Sequence, residues 1–155
     1  IADHIIEEMD PESLYVVGPG STTAAIMAQL GLDNTLLGVD LIANFELQAS
    51  DVNAELLMQA ITDHQGPVKA VITAIGGQGH ILGRGNQQLT PAIIRRIGRD
   101  NFIIVATKTK ITELNGRPLL VDSNDPDVDR EWQGFIKVVT GYRDSVMYRV
   151  SASGE

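Results

Sequence analysis

Apolar positions along this 155-residue chain switch repeatedly between two spacings, and the switching predicts the architecture. Ile1, Ile5, Ile6 and Met9 recur at helical intervals and are stopped by Asp10-Pro11, which predicts a helix over residues 2–9. Residues 14–17 form a short continuous apolar run, a first strand. Helical spacing returns over 22–30, with Gly31 as the C-cap. Residues 35–42 predict a second strand, and a helix follows from Asp51, its expected cap, to His64. Gln65-Gly66-Pro67 breaks that helix, and 68–75 is a third strand. A glycine-rich loop over 76–88 leads to a helix that starts at Thr90-Pro91, with proline at its first position, and stops at Gly98. Residues 101–107 are apolar almost throughout, as a strand covered on both faces requires. A short helix over 108–114, a strand over 118–121 and a helix opening at Asp125-Pro126 complete the alternation. The last two runs, 135–140 and 145–150, flank residues 141–144 and suit a hairpin at a sheet edge or in a β appendage.

Strands alternating with helices define an α/β fold, Rossmann-like, with a largely parallel sheet and helices on both faces. The length suits one domain spanning 1–155 with a core that needs no metal or disulfide. No cysteine is present, so thiolate metal sites and a disulfide framework are excluded. The net charge of −8 argues against a general nucleic-acid surface, which needs clustered Lys and Arg. No apolar stretch approaches a bilayer span, and the expected setting is cytoplasmic, without a membrane partner. A chain that opens on Ile1 in mid-helix is expected to be the C-terminal part of a longer protein.

Candidate chemistry gathers where strands end, because ligands of open α/β sheets bind beyond the carboxyl ends of their strands. Gly18-Pro-Gly-Ser-Thr-Thr23 joins the first strand to a helix. Unpaired N–H groups and the dipole at such a helix start favour an anion. The hydroxyls of Ser21, Thr22 and Thr23 reinforce a phosphate site with Gly18 and Gly20; the plainer alternative is a simple N-cap. Asp40 ends the second strand, and Lys108 follows the fourth. The loop carrying Gly76, Gly77, Gln78, Gly79 and Arg84 offers close backbone approach and a guanidinium for a phosphate or carboxylate, or else a long turn whose glycines serve only the backbone. All these residues are expected to line one crevice. Asp122, Asp125, Asp127 and Asp129 lack the glycine and the bidentate glutamate of a calcium loop, so no metal site is expected, and Asp125-Pro126 suits a helix N-cap. No catalytic residue emerges from these patterns.

Two resemblances follow from the motifs. Gly18-Pro-Gly-Ser-Thr-Thr23, Thr35-Leu-Leu-Gly-Val-Asp40, Ile75-Gly-Gly-Gln-Gly-His-Ile-Leu-Gly-Arg-Gly-Asn-Gln-Gln88, Ile104-Val-Ala-Thr107 and Val139-Thr-Gly-Tyr-Arg143 resemble the C-terminal portion of bacterial and archaeal predicted ATP–NAD kinases. That resemblance implies a parent phosphotransferase of NADP synthesis, using ATP or polyphosphate, NAD and Mg. It also implies an N-terminal kinase domain as partner, which would carry the Gly-Gly-Asp-Gly-Thr signature. No copy of that signature exists here, so the resemblance implies a domain inactive alone, with no cofactor of its own. Its implied role is to bind a phosphorylated ligand (nucleotide, dinucleotide or sugar phosphate) and complete or regulate the kinase.

The order of motifs is also similar to ribose-5-phosphate isomerases, in which a carboxylate after the second strand is catalytic. Asp40 corresponds to that region, but Ile75 and Gly85 stand where the isomerase lysine and glutamate are expected. A sugar-phosphate isomerase-like or acyl-transferase-like enzyme, or a structural module that forms a homo-oligomer, are the alternatives.

Overall fold

The computed structural model describes residues 1–152. Six α-helices, α1 (Ala2–Glu8), α2 (Ser21–Gln29), α3 (Ala54–Asp63), α4 (Pro91–Ile97), α5 (Lys108–Glu113) and α6 (Pro126–Trp132), accompany one sheet. Its strands are β1 (Leu14–Val17), β2 (Asp40–Ala43), β3 (Glu46–Ala49), β4 (Val68–Thr73), β5 (His80–Leu82), β6 (Phe102–Val105), β7 (Leu119–Val121), β8 (Gly134–Gly141) and β9 (Asp144–Ala152). They lie in the order β3-β2-β1-β4-β6-β8-β9-β7-β5. The β1–β4, β4–β6, β6–β8, β7–β9 and β5–β7 pairings are parallel, and the rest are antiparallel. This is the expected Rossmann-like α/β fold, with the expected hairpin formed by β8 and β9.

Period-two alternation divides the core into two layers. Tyr15, Val17, Val71, Val105 and Val139 pack with Ile5 of α1 and with Ile26 and Met27 of α2. Leu14, Val16, Ala70, Ile72, Ile104 and Val138 face the other way. There they meet Leu57 and Ile61 of α3, Ile93, Ile94 and Ile97 of α4, and Val128 and Trp132 of α6. Both faces of the central parallel strands are therefore covered, which explains why residues 102–106 carry no polar alternation.

The second strand departs from expectation. Residues 35–38 turn instead of extending: the Gly38 N–H donates to the Thr35 carbonyl at 2.9 Å. β2 starts only at Asp40 and runs antiparallel to β1. It returns as β3 through Asn44 and Phe45, both in left-handed conformation at φ 51° and 61°, in a hairpin that the sequence pattern did not reveal. The α3 cap is Asn53, whose Oδ1 accepts the Leu56 N–H at 2.8 Å; the expected cap, Asp51, sits in the preceding turn at φ 50°. Leu30, not Gly31, is the C-cap of α2, and Gly31 follows at φ 74°. The 76–88 loop contains β5, placed at a sheet edge by pairing with β7.

Asp10 ties α1 to the sheet. Its carboxylate accepts the Ser13 hydroxyl at 2.7 Å, the Ser13 and Glu12 N–H groups at 2.8 and 3.0 Å, and the Lys69 ammonium at 3.1 Å. The Ser13 hydroxyl above all, helped by Lys69 and the two N–H groups against a smaller opposing effect of burial, lowers its pKa to about 2. A depressed carboxylate pKa contributes stability that is complete above the unfolded value of about 4. That contribution is lost as pH falls towards about 2. Urea midpoints measured between those limits should fall with acidification, and Asp10→Asn should flatten the slope. An unchanged slope in the variant would remove Asp10 from that role.

Candidate functional site

β1, β4 and β6 are parallel neighbours, so the segments after Val17, Thr73 and Val105 leave the sheet at one end. The antiparallel β2 brings its first residue there too, with Asp40 opposite Val17. β8 ends at the same level, since Val139 pairs with Val105.

The start of α2 has no side-chain cap. Its N-cap is Gly20, which has no side chain to accept the helix's first N–H groups. Gly20 adopts φ 130°, and a Cβ there would lie 2.6 Å from Thr73 Cγ2, so both conformation and packing demand glycine. The Thr23 hydroxyl turns back to donate to the Gly20 carbonyl at 3.0 Å and caps none of the orphan donors. The Gly20 N–H itself donates to the Leu36 carbonyl at 3.1 Å. The simple N-cap expected as the plainer alternative for Ser21 or Thr22 is therefore not formed.

Ser21 and Thr22 line an open cavity of about 540 Å³ together with Ala25 and Gln29 of α2, Ile1, Ala2 and Asp3 of α1, Thr107 after β6 and Thr140 of β8. Thr140 is only 7 % exposed, and its Oγ1 has no hydrogen-bond partner among the described residues. A buried hydroxyl without a partner is costly, so one in a residue beside a cavity is informative. The lining contains Asp3 and no Lys or Arg. Asp3 accepts a hydrogen bond from Gln29. Any anion held here would rest on N–H and hydroxyl donors.

The other expected site residues are dispersed. Gly18, Gly20 and Thr23 face a cleft closed by Asn34, Thr35, Leu36 and Asp40, whose volume of about 10 Å³ is at the limit for one water. Asp40 is buried and its carboxylate is fully employed. It accepts the Thr35 N–H and hydroxyl at 2.9 and 2.5 Å and the Asp51 N–H at 2.9 Å, bracing the turn over α2 rather than facing open space. Gly76, Gly77 and Gln78 are exposed and Gly79 is buried; the loop leans on α5 and the segment after it, not on α2. The Gly76 carbonyl accepts Lys110 at 2.6 Å, and the Gly77 carbonyl accepts Arg117 at 3.5 Å. Lys108 sits beside Thr107 but pairs with Asp144 at 2.6 Å, and its ammonium holds the Asp144 carboxyl below the ordinary carboxylate value.

Arg84 stands apart. It follows β5 at the sheet edge, with β4, β6, β8, β9 and β7 between that strand and β1. It lines a separate cavity that shares no residue with the one at α2. The single crevice expected from sequence is thus not formed, because β5 carries the chain away from the end of β4. Thr107 and Thr140 were missed, although both end apolar strands on the ligand-facing side, the signal that singled out Lys108.

The acidic segment has structural employment. Asp125 caps α6 by accepting the Asp127 N–H at 2.9 Å, and Asp129 accepts the Ser123 N–H and hydroxyl at 2.9 and 2.7 Å. Among the described residues no group of three His, Cys, Asp or Glu is placed to hold a metal ion. No helix there is long and apolar enough to cross a membrane.

Fold and cavity together describe an α/β domain with an uncapped helix start beside its parallel strands. The chain belongs to the family of the ATP-NAD kinase C-terminal domain, whose model matches residues 10–150. A C-terminal domain of such a kinase implies an N-terminal partner domain. No curated protein and no solved structure gives a significant match.

Proposed function

We propose that this domain binds a phosphorylated ligand at the head of α2 and thereby completes or regulates the kinase of which it forms the C-terminal part. The observation that carries the reading is the uncapped α2 start opening into a cavity lined also by Thr140, whose buried hydroxyl has no partner among the described residues. Ser21 and Thr22 supply N–H and hydroxyl donors to the phosphate, and Thr140 and Thr107, whose hydroxyl oxygen caps α5 by accepting the Lys110 N–H, supply further hydroxyl donors. Nucleotide, dinucleotide and sugar phosphate all present the required oxygen atoms.

ATP or polyphosphate, NAD and Mg belong to the proposed parent activity, and a cytoplasmic setting goes with it. The described residues of this domain supply no cluster suited to Mg, and the Gly-Gly-Asp-Gly-Thr signature has no copy in this sequence. No phosphoryl-transfer step is therefore assigned to these side chains, and the domain alone is expected to be inactive. Asp40, buried and held by three donors, lends no support to isomerase chemistry.

Thermal-shift measurements with inorganic phosphate, ATP, NAD and ribose 5-phosphate test the proposal. A ligand that binds only the folded state stabilises it by about 2.7 kcal/mol at one hundred times its dissociation constant. At least one phosphorylated compound should raise the midpoint. Thr140→Val, which keeps the shape and removes the hydroxyl, should weaken that compound by about tenfold, or about 1.4 kcal/mol. Equal shifts in both proteins would take Thr140 out of the site, and no shift with any compound would remove the proposal.

A further inference from the structure

A second cavity of ligand size lies beside Arg84. Its volume is about 370 Å³, within the range of small-molecule sites. Gly83, Arg84, Thr90, Asp122, Ser123 and Asn124 are among the residues of its wall. Most of that wall is fixed. The buried Asn86 side chain donates to the Ile81 carbonyl at 2.8 Å and accepts the Gly83 N–H at 3.0 Å. The Asp122 N–H donates to the Leu82 carbonyl at 3.1 Å. Gly83, at φ 101°, lies so close to the Asp122 carbonyl that a side chain there would collide with it. The Ser123 hydroxyl is spent on Asp129, and the Thr90 hydroxyl accepts the Ile93 N–H.

Two charged groups remain unspent. Among the described residues neither Arg84 nor Asp122 makes a side-chain hydrogen bond or an ion pair, with each other or with any neighbour. Arg84 and Asp122 both line the cavity, so one wall carries a charge of each sign. A bare phosphate suits Arg84 but meets the Asp122 carboxylate, whose charge repels it. A cation meets the opposite objection. A small molecule with one end of each sign satisfies both groups on a wall that is already braced.

We infer that this cavity binds a small zwitterion, an amino-carboxylate whose carboxylate pairs with Arg84 and whose ammonium pairs with Asp122, at a site separate from the head of α2. The pairing is charge-assisted at both ends, and the guanidinium offers two parallel donors to the carboxylate. The inference does not depend on the phosphate site.

Backbone-amide NMR of the chain tests it with glycine, β-alanine, 4-aminobutyrate and 5-aminopentanoate, which separate the two charges by growing distances. Acetate and ethylammonium serve as single-charge probes. At least one zwitterion should shift the Gly83, Arg84, Asp122 and Asn124 amides saturably and bind about tenfold tighter than either single-charge probe. Arg84→Gln and Asp122→Asn should each remove about tenfold of that affinity, while Thr140→Val leaves it unchanged. The inference is overturned if none of the four zwitterions moves those amides, or if acetate binds as tightly as every zwitterion. Unchanged zwitterion affinity in folded Asp122→Asn would overturn it as well.

Discussion

Replacing Trp132 with alanine should destabilise the fold by about 3–5 kcal/mol, the range for removing a large aromatic side chain from a core. Trp132 ends α6 and is among the largest fully buried side chains. Its ring meets Phe102 of β6 edge-on, with centroids 4.7 Å apart and planes at 84°. Arg99 lies 5.8 Å from the ring centre and also donates to the Trp132 carbonyl at 3.3 Å. Loss of the indole empties the junction of α6, α4 and the sheet and removes the ring beside Arg99, which keeps its bonds to the Trp132 and Phe135 carbonyls. Domains of this size are stable by only about 5–15 kcal/mol, so the variant should sit close to its unfolding limit at 25 °C. Urea denaturation gives the value directly. A cost below about 1 kcal/mol, within ordinary surface effects, would show that the α6 contact is not a core contact.

Thr22→Glu should move stability and binding in opposite directions. Thr22 is the second residue of α2, where a carboxylate interacts favourably with the helix dipole. The gain expected from that position is about 0.3–1 kcal/mol. The same carboxylate enters the cavity where the phosphate is proposed to bind, beside Asp3. Like-charge opposition there costs several kcal/mol, so phosphorylated ligands should bind about a hundredfold more weakly or not at all. Higher stability with unchanged affinity would mean that the ligand binds elsewhere.

The fold was legible where period and punctuation agreed. Asp10-Pro11, Thr90-Pro91 and Gly98 marked real boundaries, and the unbroken apolar run at 102–106 announced a strand covered on both sides. Residues 35–42 misled for a physical reason. Leu36, Leu37 and Val39 look like strand positions, yet Leu36 and Leu37 are exposed on a turn that the Asp40 carboxylate braces from below. The β2–β3 hairpin was hidden because its turn uses Asn44-Phe45 in place of a glycine pair, with tertiary pairing to β1 supplying what turn propensity does not.

The candidate site was legible in part, since the strand–glycine–helix motif places Ser21 and Thr22 at the start of α2, on the cavity wall. Arg84 was misplaced because strand order is not written locally: one short strand, β5, carries it to the far edge. Thr140 stayed hidden because nothing in a sequence shows that a hydroxyl will lack a partner.

Amide NMR titration with inorganic phosphate, NAD and ATP decides whether phosphate binds at the head of α2. The Ser21, Thr22 and Thr23 amides, with Thr107 and Thr140, should shift together and saturate with one dissociation constant, and Thr22→Glu should abolish the response. Shifts confined to residues 76–79 or 83–84, with the α2 amides unmoved at saturation, would contradict the account.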